Sequence, residues 1–330
     1  MNKKHLVKTL ALMGVLIIII TVFKQPLFEA LYEMRSIRIW QIALISLMAI
    51  IFQICEGLNY AAMTQTNDNG LTRREGISCA FYTSFFKVVT FGSGSAAGTI
   101  YYMNNRGVKI SRGTSISALS YMFHKLTVAV LAIFFLIVQF KDFHSLYNQY
   151  FSAFLLSVAI AILISVIFLT ICISKLLHTF IVKCISKFNK KGKLSHVIDS
   201  LSEYFTGLED SSAELLKDKS CICSIIIRNI IKLLAIYSIP YIILVPMQTV
   251  TGIQLIGITA VACAVASVLP APAGIGSTEV AFLLFFANIV PSKNILSCAL
   301  LYRFMTFLFP GVIGGVIIGV NKIRKSIMHK

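Results

Sequence analysis

Glu56, Lys87, His124, Lys125, Arg228, Lys232, Glu279 and Arg303 are ionisable side chains set inside or at the edges of long apolar runs. Charge at such positions is costly, so these residues usually face a polar cavity or one another. Lys125 and Arg303 stand out. Each sits about ten residues into the helix that follows a Gly-rich break, which places it deep in the apolar layer. Cations there suit an anionic group such as a lipid phosphate. The competing reading is an internal ion pair with Glu56 or Glu279. Glu279 opens a helix, where the dipole and free N–H groups favour a carboxylate; its sharper role would be to hold a headgroup amine. Arg228 and Lys232 lie near the start of their span and read as snorkelling to the headgroups. Glu56, near the inner end of its span, has water as its alternative partner.

The elements that position these groups are broken in a matched way. One apolar stretch from residue 77 fails at FGSGSAAG (91–98), and another from residue 253 fails at PAPAGIGSTE (270–279). Gly and Pro cannot hold a regular helix. A lipid-exposed break would strand backbone N–H and C=O groups, so such breaks are buried or line a polar cavity. Gly92, Gly94 and Gly98 in the first break, and Pro270, Pro272, Gly274 and Gly276 in the second, are therefore the expected cavity lining. GSGSAAG (92–98) mimics a dinucleotide fingerprint but lacks the strand–helix setting that gives such a match meaning; its N–H groups suit a phosphate. Gly311, Gly315 and Gly319, four residues apart, predict close helix packing.

Composition sets the class. Of 330 residues 57% are hydrophobic and 13% charged, with a mean hydropathy of +0.83. Soluble domains carry about 25% charged residues, so the chain reads as an all-α polytopic membrane protein. The net charge of +17 sits mainly in loops, which argues for membrane topology and anionic lipid rather than directly bound nucleic acid. The six His lack HxxxH or HExxH spacing and the eight Cys form no CxxC pair, so no metal, cofactor or disulfide framework is expected. No catalytic constellation is visible, and the stretch 175–220 is too small for a catalytic domain.

About six full spans are expected, at 6–23, 39–62, 115–140, 151–174, 222–245 and 295–320, with broken or re-entrant segments at 77–103 and 253–290. The run 6–23 reads as an uncleaved first helix. Residues 1–330 form one transmembrane domain with pseudo-repeats 1–140 and 150–330. Between spans, 175–220 is a cytoplasmic segment, first basic and then amphipathic, its second part a helix along the membrane. With both breaks re-entrant and both termini inside, only Lys24, Arg35, Arg38, Lys141 and Lys293 fall in outer loops. That bias places the two breaks on opposite sides, which makes the halves an inverted-topology repeat in the cell membrane. SALSYMF (117–123) and CALLYRF (298–304) follow the breaks and look alike.

LPAPAGIGSTEVAFLLFF (269–286), followed by ALLYRFMTFLFPGVIGG (299–315), resembles the signature of the lysylphosphatidylglycerol synthase transmembrane family. FGSGSAAGTIYYMNNRGVKISRGTSISAL (91–119) resembles the family's first half more loosely, without its proline. The resemblance spans nearly the whole chain. It implies a flippase-like domain similar to the membrane half of multiple peptide resistance factors. That half moves aminoacylated phosphatidylglycerol to the outer leaflet, and a separate soluble domain makes the lipid. The chain ends at Lys330, just after the last span, so it reads as a stand-alone member without that soluble domain. The expected partners are anionic or aminoacylated phospholipids, a separately encoded aminoacyltransferase and a second copy of the chain. The alternatives are a phosphatidylglycerol lysyltransferase contributing to cationic antimicrobial peptide resistance, and an ion-coupled secondary transporter.

Overall fold

The computed structural model describes residue 28 and residues 32–65, 70–140, 151–188, 195–244, 251–269 and 276–328. The expected span 6–23 lies outside them. Among the described residues the secondary structure is helical, with no strand. Among the described residues five helices are long and apolar enough to cross a membrane: Ile39–Thr64, Ile110–Val138, Phe154–Ile173, Lys219–Leu244 and Asn294–Asn321. In chain order the helices are α1 (Ile39–Thr64), α2 (Arg73–Val89), α3 (Ser95–Asn104), α4 (Ile110–Val138), α5 (Phe151–Ile173), α6 (Lys175–Phe188), α7 (Ser195–Lys217), α8 (Lys219–Leu244), α9 (Gly252–Ala266), α10 (Ser277–Phe286), α11 (Ser292–Arg303) and α12 (Phe309–Met328). Ile162, Leu163, Val166 and Ile167 of α5 and Ile227 and Ile231 of α8 point outward. Such a surface is stable against lipid and not against water.

The two broken stretches are both hairpins of short helices, α2–α3 and α9–α10. Each opens on a capping box. Thr72 Oγ1 accepts from the Glu75 N–H at 3.3 Å, and Thr251 Oγ1 accepts from the Gln254 N–H at 3.4 Å. The reverse bonds run from Thr72 N–H to Glu75 and from Thr251 N–H to Gln254. These contacts satisfy donors that the first turn of a helix leaves free.

Arg106, beyond α3, pairs with Glu75 and closes the base of the first hairpin. The Thr72 N–H, helped by the Thr72 hydroxyl and Arg106 against a smaller opposing effect of burial, holds the Glu75 carboxyl below its ordinary value of 4.5. A depressed carboxylate stabilises the fold above its unfolded-state value and loses that contribution as pH falls through the folded value. The protection of first-turn amides of α2, taken relative to intrinsic exchange at each pH, is therefore expected to fall as pH drops below 4.5. Glu75→Gln is expected to abolish that pH dependence.

The first hairpin turns through a Schellman-type end. The Gly92 N–H donates to the Lys87 carbonyl at 2.7 Å and the Phe91 N–H to the Val88 carbonyl at 3.3 Å. Phe91 holds φ at 52°, where glycine is the usual occupant,. Its ring sits with Val88, Phe304, Phe307 and Leu308, which offsets the strain,. The helix resumes at Ser95, so Gly98 lies inside α3 rather than in the break. It gives way there to Phe86: a Cβ at Gly98 would lie 2.8 Å from the Phe86 Cβ.

Helix α1 packs against α8 and α2, α12 packs across α2, and α4 packs on α5, α7 and α9. Small residues set the closest crossings. A Cβ on Gly76 would lie 2.2 Å from the Gly57 carbonyl oxygen, and one on Gly314 would lie 2.1 Å from the Phe81 carbonyl oxygen. Gly311 and Gly315 also meet α2, whereas a Cβ on Gly319 would meet nothing within 4 Å. The packing stripe is thus Gly311, Gly314 and Gly315, and the expected Gly319 is not part of it. Gly314→Ala is expected to cost about 1–3 kcal/mol, read as a lowered melting temperature in detergent. Gly319→Ala should leave that temperature unchanged.

Both halves of the segment 175–220 are helical. Ser115 Oγ donates to the Leu208 carbonyl at 3.1 Å, and Arg112 pairs with Glu214 at 3.1 Å, so α7 is fastened to the first turns of α4. His178 joins α6 to α7 through Glu209 and stacks on Phe205.

Candidate functional site

A cavity of about 920 Å³ lies between the two hairpins. Its wall includes Glu56 and Tyr60 of α1, Lys87 of α2, Tyr121, His124 and Lys125 of α4, and Ile236 and Tyr237 of α8. Both breaks reach it. Phe91, Gly92, Ser93 and Ser95 come from the first turn and the start of α3; Ser267, Leu269, Ser277 and Thr278 flank the second. Arg303, Thr306 and Phe307 complete it.

The expected residues sort into three groups. Glu56, Lys87, His124, Lys125 and Arg303 all face the cavity. Glu279 stands behind Arg303. Its Oε1 accepts from Arg303 Nη1 at 2.9 Å, and its Oε2 accepts from the Gly276 N–H at 3.0 Å. The carboxylate therefore caps its own helix and anchors the guanidinium, and it is absent from the cavity wall. Of the break residues, Gly92 lines the cavity, while Gly94 and Gly98 pack against Thr90 and Phe86 instead. Gly276 adopts φ 88°, a conformation that favours glycine, and leads into α10,. Pro270, Pro272 and Gly274 lie outside the described residues.

Lys125 pairs with neither Glu56 nor Glu279. Although only 6% exposed, it sends Nζ to the Ser267 carbonyl at 2.7 Å. Ser267 caps the C-terminal end of α9, where the helix dipole favours a cation,. The bond ties the helix after the first break to the edge of the second. The Lys125 ammonium also stands 5.5 Å from the Tyr121 ring centre. Lys87 lies 5.6 Å over the Phe307 ring, and His124 meets Phe52 edge-on. In the alignment of SALSYMF with CALLYRF, Arg303 matches Met122, so Lys125 stands three residues further along its helix.

Lys232 corrects the snorkelling expectation. It is fully buried, 0% exposed, and its Nζ pairs with Glu56 Oε2. Glu56 Oε1 accepts from Ser120 Oγ at 3.2 Å. The missed signal was depth: thirteen residues from the first residue of α8 at about 1.5 Å each carry Lys232 roughly 20 Å from the helix end, too far for its side chain to reach headgroups. Arg228, one turn earlier, donates to the Leu58 carbonyl at 3.3 Å.

Arg303 is the last residue of α11 and is followed by a π-helical turn, Phe304–Leu308. Pro310 lacks the N–H that would bond Thr306 and its ring crowds the preceding turn, so the wider turn absorbs the misfit. Helix interruptions of this kind are frequent at functional sites. Beyond its bond to Glu279, Arg303 keeps N–H donors without a partner among the described residues. With Lys87 and Lys125 they give the cavity donors suited to phosphate oxygens.

The model of the lysylphosphatidylglycerol synthase TM region family matches residues 8–314. A comparison with curated proteins gave no match. The family description ties such a membrane region to lysylphosphatidylglycerol synthesis. The match takes in the cavity-lining charges and both hairpins, so this chain, a multi-pass helical membrane protein, belongs to the lysylphosphatidylglycerol synthase transmembrane-region family.

Proposed function

We propose that the chain is a phospholipid translocator whose cavity receives the headgroup while the acyl chains stay in the bilayer. One observation carries this reading. A cavity of about 920 Å³, drawn from both broken hairpins, has Lys87, Lys125 and Arg303 in its lining. Sites for small ligands occupy about 300–1,000 Å³, so a headgroup fits. Lys125 and Arg303 clasp the phosphate, and the hydroxyl of Thr278 adds a neutral donor,.

The reading includes an inverted-topology repeat with six spans, a cell-membrane location and both termini in the cytoplasm. The hairpins support the repeat. Each begins at a Thr-capped helix, and each second arm begins at a Gly–Ser pair, Gly94–Ser95 and Gly276–Ser277. The partners are exchanged as well. Helix α12 of the second half packs on α2, and α4 of the first half packs on α9. Opposed repeats around a shared site are the plan of carriers that open to one side at a time. Aminoacylated phosphatidylglycerol is the substrate that the family description brings forward.

In proteoliposomes a headgroup-labelled phospholipid is expected to change leaflet faster with this chain than without it. The pair Lys125→Ala and Arg303→Ala is expected to return the rate to the protein-free level. An unchanged rate in that pair, at equal reconstitution, would sink the proposal.

A further inference from the structure

We infer that the cavity selects an anionic phospholipid headgroup that carries no amine; this rests on the headgroup-site reading above and replaces the aminoacylated lipid that the family description brings forward. Charge is unevenly distributed around the site. Glu56 is neutralised by Lys232 and Arg303 by Glu279. Lys87 and Lys125 also face the cavity, and neither has a carboxylate partner among the described residues. The wall with its partners therefore holds an excess of two positive charges.

The sequence supplies little to offset that excess. Between residues 76 and 198 the only acidic side chain is Asp142, and between residues 219 and 330 the only one is Glu279. A lysyl-modified phosphatidylglycerol carries one phosphate and two amines, so it would bring a net positive charge to a positive wall. Its amines also need acceptors. Glu279 does not line the cavity and is already held by Arg303 and the Gly276 N–H. Releasing Glu56 would strand Lys232, which is wholly buried, and a buried cation without a partner is strongly disfavoured,. A headgroup with one or two negative charges and no amine meets none of these obstacles and neutralises Lys87 and Lys125 directly. The apolar part of the wall, with Val128, Phe168, Leu233 and Ile236, suits a lipid rather than a free anion.

The test is binding of lipids with identical acyl chains to the purified full chain in detergent: phosphatidic acid, phosphatidylglycerol, phosphatidylethanolamine and lysylphosphatidylglycerol. Phosphatidic acid and phosphatidylglycerol are expected to bind at least about tenfold more tightly than the lysyl lipid, the scale of one charge interaction in partly screened surroundings. Lys87→Gln with Lys125→Gln should collapse that difference, and Lys125→Arg should keep it, which separates lost charge from lost folding. Equal or tighter binding of the lysyl lipid would overturn the inference. So would inorganic phosphate displacing phosphatidylglycerol at an equal concentration. Flipping of the same lipids is measured in parallel. If none flips while the binding order holds, the translocator reading fails and the headgroup assignment stands.

Discussion

Lys232→Met is expected to lower stability by about 3 kcal/mol, near the low end for removing one member of a buried ion pair. The substitution keeps the volume of the side chain while removing the cation. Glu56 then keeps hydrogen bonds from neutral hydroxyls, Ser120 at 3.2 Å among them, but loses its ion-pair partner. Glu56 borders the cavity, so water recovers part of its solvation, which places the cost near the low end. Glu56→Gln in the same chain is expected to restore most of the loss, because the neutral amide needs no counter-charge. Melting of the two single variants and the double variant forms a cycle that isolates the pair. A single variant as stable as the parent would show that the Glu56–Lys232 contact does not fasten α1 to α8.

Arg303→Ala is expected to reduce lipid flipping by about 100-fold, the scale of a lost positioning contact. The variant removes both the cavity charge and the tether of α10, so a second variant separates the two. Glu279→Gln breaks the tether but leaves the guanidinium at the wall. If Arg303 touches phosphate, Glu279→Gln keeps substantially more activity than Arg303→Ala. Equal losses would make the pair purely structural. Arg303→Lys is expected to fall between them, since an ammonium lacks the planar fork that grips two oxygens at once.

Much of this architecture was legible in the residues. The helices at Ile39–Thr64 and Phe151–Ile173 lie within two residues of the runs expected at 39–62 and 151–174, because apolar runs bounded by polar residues set the ends of spans. Both hairpins were visible because Gly and Pro interrupt apolar stretches in few other ways. The extent of the first break was misplaced. Ser95, Ala96 and Ala97 suit a helix well enough that it resumes before Gly98, and a phenylalanine rather than a glycine takes the left-handed position,. Charge pairing was legible in part. The bond of Arg303 to Glu279 is the ion pair that competed with a phosphate in the sequence reading, whereas Glu56 and Lys232 are 176 residues apart and no helical period links them. Lys125 found a carbonyl at the end of α9, a partner that no pattern of side chains announces.

If the protein moves lipid as proposed, the cations between the hairpins hold a lipid phosphate. A structure of the full chain in a bilayer disc containing phosphatidylglycerol would show that phosphate in place. A phosphate is expected within about 4 Å of the Lys125 ammonium or the Arg303 guanidinium, the range of a direct ion pair. Lipid phosphates confined to the outer perimeter, with only solvent beside Lys87, Lys125 and Arg303, would contradict it.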